Sequence, residues 1–172
     1  MASGFPSRSR LVFGIYLLAL IIALELVLHH YQLPAWPVFL VMIFFFETHM
    51  NPGRAPHLLL GGLAGICCFV LTVYFVDLAG TALGAWPAKL LFVCLVVYAI
   101  VALGEVWPML FNNYAFMFYL VSGLAARDTA LAPAPLVWMG LVIGGGAIVI
   151  AAVLLIGQLM SKSAAKTKAT GQ

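Results

Sequence analysis

Charge is what this chain has least of. Asp, Glu, Lys and Arg together make up 8% of it, about a third of their share in a soluble domain. With 5 acidic side chains in 172 residues, a catalytic pair of carboxylates would have to be assembled from distant segments. No H-E-x-x-H, G-x-S-x-G, phosphate-binding glycine loop or C-x-x-C occurs. The three cysteines, Cys67, Cys68 and Cys94, lie inside apolar runs. They have no metal-ligand spacing, so they are expected to pack as small buried hydrophobes. The expectation is a non-enzyme without metal or cofactor. No basic surface interleaved with aromatics is evident, which argues against nucleic acid as a partner.

What is abundant is apolar surface: 65% of residues are hydrophobic. A soluble fold this small cannot cover so many Leu, Val, Ile and Phe side chains, whereas lipid can face them directly. Backbone groups must still be satisfied inside lipid, which leaves helices or closed barrels. The apolar runs do not alternate as barrel strands do. The expected fold is therefore all-α, a polytopic membrane protein of six transmembrane helices.

The runs place those helices. Residues 1–10 read as a polar N-terminal segment and 11–160 as the transmembrane domain. Residues 161–172 read as a disordered basic tail. Leu11–Leu28 has the length a bilayer needs. It is too long for a signal peptide, and no A-x-A-type site follows it. Pro34–Met50 is a short second span that is tilted or does not cross fully. Leu58–Val76 is the third, with Asp77–Pro87 as connector. Ala88–Leu103 is the fourth. Trp107-Pro108 opens the fifth, which ends near Leu124, and Pro135–Met160 is the sixth. Six spans put both termini on one side. Arg8, Arg10, Arg54, Lys162, Lys166 and Lys168 fall on that side and only Lys89 and Arg127 on the other, which predicts cytoplasmic termini in a bacterial inner membrane.

The two halves look alike. Trp36-Pro37 and Trp107-Pro108 lie 71 residues apart, and Phe45 and Phe116 share that offset. Gly61-x-x-x-Gly65 and Gly140-x-x-x-Gly144 lie 79 apart, as a longer loop before the sixth span would require. The halves, about 11–78 and 86–160, are expected to be three-helix repeats, inverted because each holds an odd number of spans. Inverted repeats recur in transporters, with the working site at the repeat interface. Trp-Pro starts and Gly-x-x-x-Gly pairs are also common in any membrane helix. The glycines Gly61, Gly65, Gly140 and Gly144 are expected to serve close helix packing. Gly144-Gly145-Gly146 marks either tight packing or a bend.

Polar groups inside spans need a reason. Glu25 and His29, four residues apart on one helix face, form either a proton or cation site or a pair at a wet edge. Glu47, His49, Arg54 and His57 gather around Asn51-Pro52-Gly53, either as an anion or proton site or as a solvated loop. Glu47 follows three phenylalanines and is the best single candidate there. Asn112 and Asn113 open the fifth span, either lining a polar pathway or tying helices together. Glu47, Asn112, Asn113, Glu25 and His29 are thus the pathway candidates.

Leu33-Pro34-Ala35-Trp36-Pro37, the aromatic second span and Leu60-Gly61-Gly62-Leu63-Ala64-Gly65 carry a resemblance over about residues 8–158. On these residues the chain resembles the six-helix bacterial membrane families around the fusaric acid resistance and aromatic acid exporter proteins. It is also similar to a small family of inner-membrane proteins with the same W-P-x-F-L opening. The resemblance implies a six-helix membrane domain. His57-Leu58-Leu59-Leu60-Gly61 stands where the exporters have an Arg-x-x-Gly-Thr-type entry, and no substrate site carries over. The expected function is a small-solute permease or channel subunit working as a homo-oligomer in the lipid bilayer. The alternative is a non-transporting scaffold or accessory subunit.

Overall fold

A computed structural model describes residues 8–127 and 134–170. Helices account for nearly all of them: α1 Arg8–His30, α2 Trp36–Glu47, α3 Ala55–Leu83, α4 Ala85–Leu103, α5 Asn113–Ala125, α6 Pro135–Gly140 and α7 Gly146–Thr170. A single π-helical turn, Leu141–Gly145, joins α6 to α7 as one rod. Four helical stretches, Arg10–His30, Pro52–Leu83, Ala85–Leu103 and Pro135–Ser161, are long and apolar enough to cross a membrane; α2 and α5 are apolar but shorter. Much of the large apolar surface of α1 and α4 is exposed, including Ile15, Leu18, Leu26, Leu91, Leu95 and Val101. This make-up is compatible with an integral membrane protein.

Local chemistry sets the helix boundaries. Pro37 sits in the first turn of α2, where its missing N–H costs nothing. At the other end His49 and Met50 both turn left-handed, with φ of 56° and 57°, and the Met50 N–H returns to the Phe45 carbonyl at 3.1 Å. The Thr48 hydroxyl donates to the same carbonyl at 2.7 Å. Asn51 then accepts the Gly53 N–H at 2.9 Å, forming the short turn that launches α3. The expected connector over Asp77–Pro87 is instead helical except at one residue. Leu78, Ala79, Ala82 and Leu83 are good helix formers, and only Gly84, with φ 84° and ψ 143°, breaks the chain between α3 and α4. That conformation is open to glycine and strained for other residues.

Two further boundaries differ from the expectation. Trp107-Pro108 lies in a turn before α5, which begins at Asn113. The basic segment after Met160 continues α7 to Thr170, since its Ala and Lys residues favour helix. Most of the N-terminal segment, residues 1–7, most of the loop after α5, residues 128–133, and the last two residues of the tail, 171–172, lie outside the described residues.

Side-chain contacts fix the direction of each helix. Phe13 meets Phe46 at 6.2 Å between rings, so the start of α1 and the end of α2 share one end of the bundle, called here the Asn51 end. Asn112 bonds to the His57 carbonyl, which puts the starts of α3 and α5 at that end too. Trp36 meets Trp138 at 5.3 Å at the opposite, Gly84 end. Hence α2 and α6–α7 run parallel, while α3 and α5 run parallel in the other direction. Their core is aromatic and β-branched. Val38, Val41, Phe45, Leu58, Ile66, Phe118, Val142 and Val149 are all fully buried.

Glycines set the two closest approaches. A Cβ on Gly65 would sit 2.8 Å from the Tyr119 nitrogen and 2.9 Å from the Phe118 Cβ, and one on Gly61 would strike the Asn112 amide. That is the seam between α3 and α5. Between α7 and α2, a Cβ on Gly145 would lie 2.6 Å from Val38, and one on Gly146 3.1 Å from Val41. Gly140 and Gly144, expected to pack, face open space instead. The π-turn is the reason, because its extra residue re-phases the rod and delivers Gly145 and Gly146 to the seam.

Candidate functional site

The α3–α5 seam is tight at the Asn51 end and opens towards the Gly84 end. Beyond Gly65, residues of α3, α4 and α5 line a cavity of ≈ 450 Å³. That volume is within the range of small-molecule sites. Phe69, Thr72, Val73, Val76 and Asp77 give one face of α3 to it, Tyr119 and Gly123 come from α5, and Arg127 from the turn that follows α5. Both sets recur at helical spacing. Lys89 and Val93, one turn apart, come from α4.

Polarity is graded along this cavity. At its inner end the Thr72 hydroxyl and the Tyr119 phenol lie 3.1 Å apart, both on buried residues. Thr72 also bonds to the Cys68 carbonyl at 2.8 Å, so it spends its proton there and accepts from Tyr119. The middle is apolar: Val73, Val76, Val93 and Leu120. Asp77, Lys89 and Arg127 stand at the mouth, all exposed. Space exists at mid-depth because residue 123 is glycine. A Cβ there would meet only Phe69, at 4.0 Å. A second, nearly apolar cavity of ≈ 420 Å³ adjoins it on the other flank of α5. Leu124 lines both.

No family model matches the chain, and no curated protein or solved structure is significantly similar to it. The cavity therefore has to be judged on its own residues.

None of the five sequence-derived pathway candidates lines either cavity. Glu25 and His29 are exposed on α1, and Glu47 and Asn113 are exposed at the Asn51 end. Asn112 is spent on structure. Its Oδ1 accepts the Ala115 N–H at 3.1 Å and caps α5. Its Nδ2 donates to the His57 carbonyl at 3.0 Å and to the Pro108 carbonyl at 3.0 Å. His49 and Arg54 are exposed. His57 is half-buried, and its Nδ1 has no partner among the described residues. Cys67 and Cys94 are exposed on apolar helix faces, not buried, and Cys68 is half-buried. Among the described residues no three His, Cys, Asp or Glu side chains come together as a metal site.

Sequence reasoning missed Asp77 and Arg127 because both were assigned to connecting segments, and it read Lys89, at the start of the fourth span, only as a charge that orients the chain. Once α3 is known to run through Asp77, its spacing of five from Thr72 and eight from Phe69 places all three on one face. The break at Gly84 then folds Lys89 back beside it.

Proposed function

We propose that the chain is a small-solute permease of the inner membrane, seen with its binding cavity open at one end and sealed at the other. The observation that carries this is the shape of the α3–α5 interface. It is a glycine seam at Gly61 and Gly65, followed along the same two helices by a partly open cavity that Thr72, Tyr119 and Arg127 help to line. A carrier in one of its two end states has this form.

The helix partners support a repeat. In a twofold inverted pair, α1 would correspond to α4, α2 to α5, and α3 to the α6–α7 rod. Packing follows that exchange. α2 packs on α7 as α5 packs on α3, and α1 packs on α7 as α4 packs on α3. The parallel pairs run in opposite directions, as inversion requires. Short helices meet long ones through glycines in both halves, but at Gly145 and Gly146 in the second half, which shifts the register read from the sequence.

On this reading both short helices cross and the chain has six crossings. Arg10 and Arg54 lie at the sealed Asn51 end, Lys89 and Arg127 at the open one. With the lysines after Met160, the positive-inside bias puts the Asn51 end in the cytoplasm and the cavity mouth outside. The resemblance to six-helix exporters agrees with this span number. Purified protein in proteoliposomes, tested for flux of small organic acids, inorganic ions and urea-like solutes, is expected to carry one class. Gly123→Leu, which fills the cavity, is expected to stop that flux. Folded protein that moves none of them would overturn the proposal.

The role of Asn112 favours a second reading, a non-transporting scaffold, because the most polar residue placed between helices holds them together. A foreign subunit retained at fixed stoichiometry in gentle detergent, without flux, is the result that reading expects.

A further inference from the structure

We infer that the cavity between α3, α4 and α5 binds a monoanionic amphiphile: one carboxylate or phosphate group on a short apolar body. The inference rests on that cavity being the working site and adds the chemistry of its ligand. Among the described residues, two exposed cations, Lys89 and Arg127, and one carboxylate, Asp77, line the mouth. An anionic head gains from both, and Arg127 offers a fork that fits a carboxylate or phosphate in two bonds. A cationic head would meet two like charges there. Below the rim the walls are Val73, Val76, Val93 and Leu120, which give an apolar body a place and a hydrated ion none.

The inner end sets the length of that body. Tyr119 and Thr72 already satisfy each other at 3.1 Å, so an apolar terminus can lie against the pair without stranding a buried donor. A longer polar ligand would have to break that bond. Gly123 opens the middle of the site, and its replacement by a larger residue removes the room for the body while leaving both cations in place.

Two sources offer this chemistry, a free organic acid and the headgroup of an anionic phospholipid. Both are distinguished by titrating a fluorinated octanoate, followed by fluorine NMR, into the full chain in phosphatidylcholine nanodiscs. Fluorinated octylamine and octanol are the comparison probes, and empty nanodiscs report partition into lipid. Octanoate is expected to bind saturably and at least about tenfold more tightly than the amine or the alcohol. Lys89→Gln with Arg127→Gln should erase that preference, and Gly123→Leu should abolish saturable binding. Because Lys89 and Arg127 are exposed, the double variant is expected to fold, which its thermal transition checks. Equal binding of amine and carboxylate, or an unchanged preference in the double variant, overturns the inference.

Repeating the titration in nanodiscs that contain phosphatidylglycerol separates the sources. Loss of octanoate binding there assigns the site to lipid with its chemistry intact, and unchanged binding assigns it to a free acid. Flux tells this inference apart from the permease reading. Saturable octanoate binding without any transport leaves the ligand chemistry standing and removes the permease. Transport of a neutral or cationic solute that survives the double variant keeps the permease and removes the ligand class.

Discussion

At the scale of single residues, Asn112 shows how a polar side chain inside an apolar bundle is used up. One amide caps α5, bonds to the α3 backbone and closes the turn that precedes it. Replacing it with Ala frees the Ala115 N–H and the His57 carbonyl together. The expected loss is about 1–3 kcal/mol, read as a lower thermal transition in detergent. Asn112→Asp keeps the acceptor for Ala115 and loses the donor, so it should fall between the two. If both variants melt with the parent, the amide does not hold α3 to α5. Glycines give a paired contrast. Gly65→Ala pushes a methyl into the α5 backbone and should cost about 1–3 kcal/mol. Gly144→Ala meets nothing within 4 Å and should cost nothing, because glycine is itself a poor helix former by about 1 kcal/mol. The sequence shows both as members of the same Gly-x-x-x-Gly pattern. It cannot show that the rod is wound by one extra residue between Gly140 and Gly145.

That extra residue governs behaviour at the scale of elements. Apolar run length made the long helices legible, since a bilayer crossing requires it; Pro34 and Pro37 marked the start of α2, where a missing N–H costs nothing. Hidden were features that depend on one residue's backbone state: the break at Gly84, the left-handed pair His49 and Met50, and the π-turn. The cavity residues went unseen with them, because Asp77 is a loop residue or a helix residue depending on where α3 stops. A π-turn is one residue inserted into an α-helix, so removing that residue restores regular winding with both flanks in phase. Deletion of Gly144 should therefore leave Trp138 on Trp36 and Gly145 and Gly146 on α2, with the melting transition kept or raised. Deletion of Ala147, in regular helix, should instead turn Val149, Ile150 and Val153 by about 100° away from the core and lower the transition sharply. Equal losses from the two deletions would mean the π-turn is not a separable insertion.

At the scale of the whole molecule, the proposed six crossings require helices of 12 and 13 residues to span the membrane. Their axes measure about 18 and 20 Å, against a hydrocarbon layer of about 30 Å. Exposed to lipid, such helices would strand backbone groups at both ends. One face of each is instead buried among its neighbours. In α2, Val38, Val41 and Phe45 are fully buried, and in α5 Ala115, Phe118 and Ser122 are. The ends of both helices close on local hydrogen bonds, at Thr48 and Met50 for one and at Asn112 for the other. A crossing made in this way predicts a strict alternation of sides. In a chain with Cys67, Cys68 and Cys94 replaced, single cysteines at Arg54 and Glu105 should react with an impermeant thiol reagent only from the cytoplasmic face. Cysteines at Gln32 and Trp86 should react only from outside. If α2 dips in and returns, positions 32 and 54 will be labelled from the same face. The inverted pair would then be lost, and with it the ground for treating the open cavity as one end of a path through the membrane.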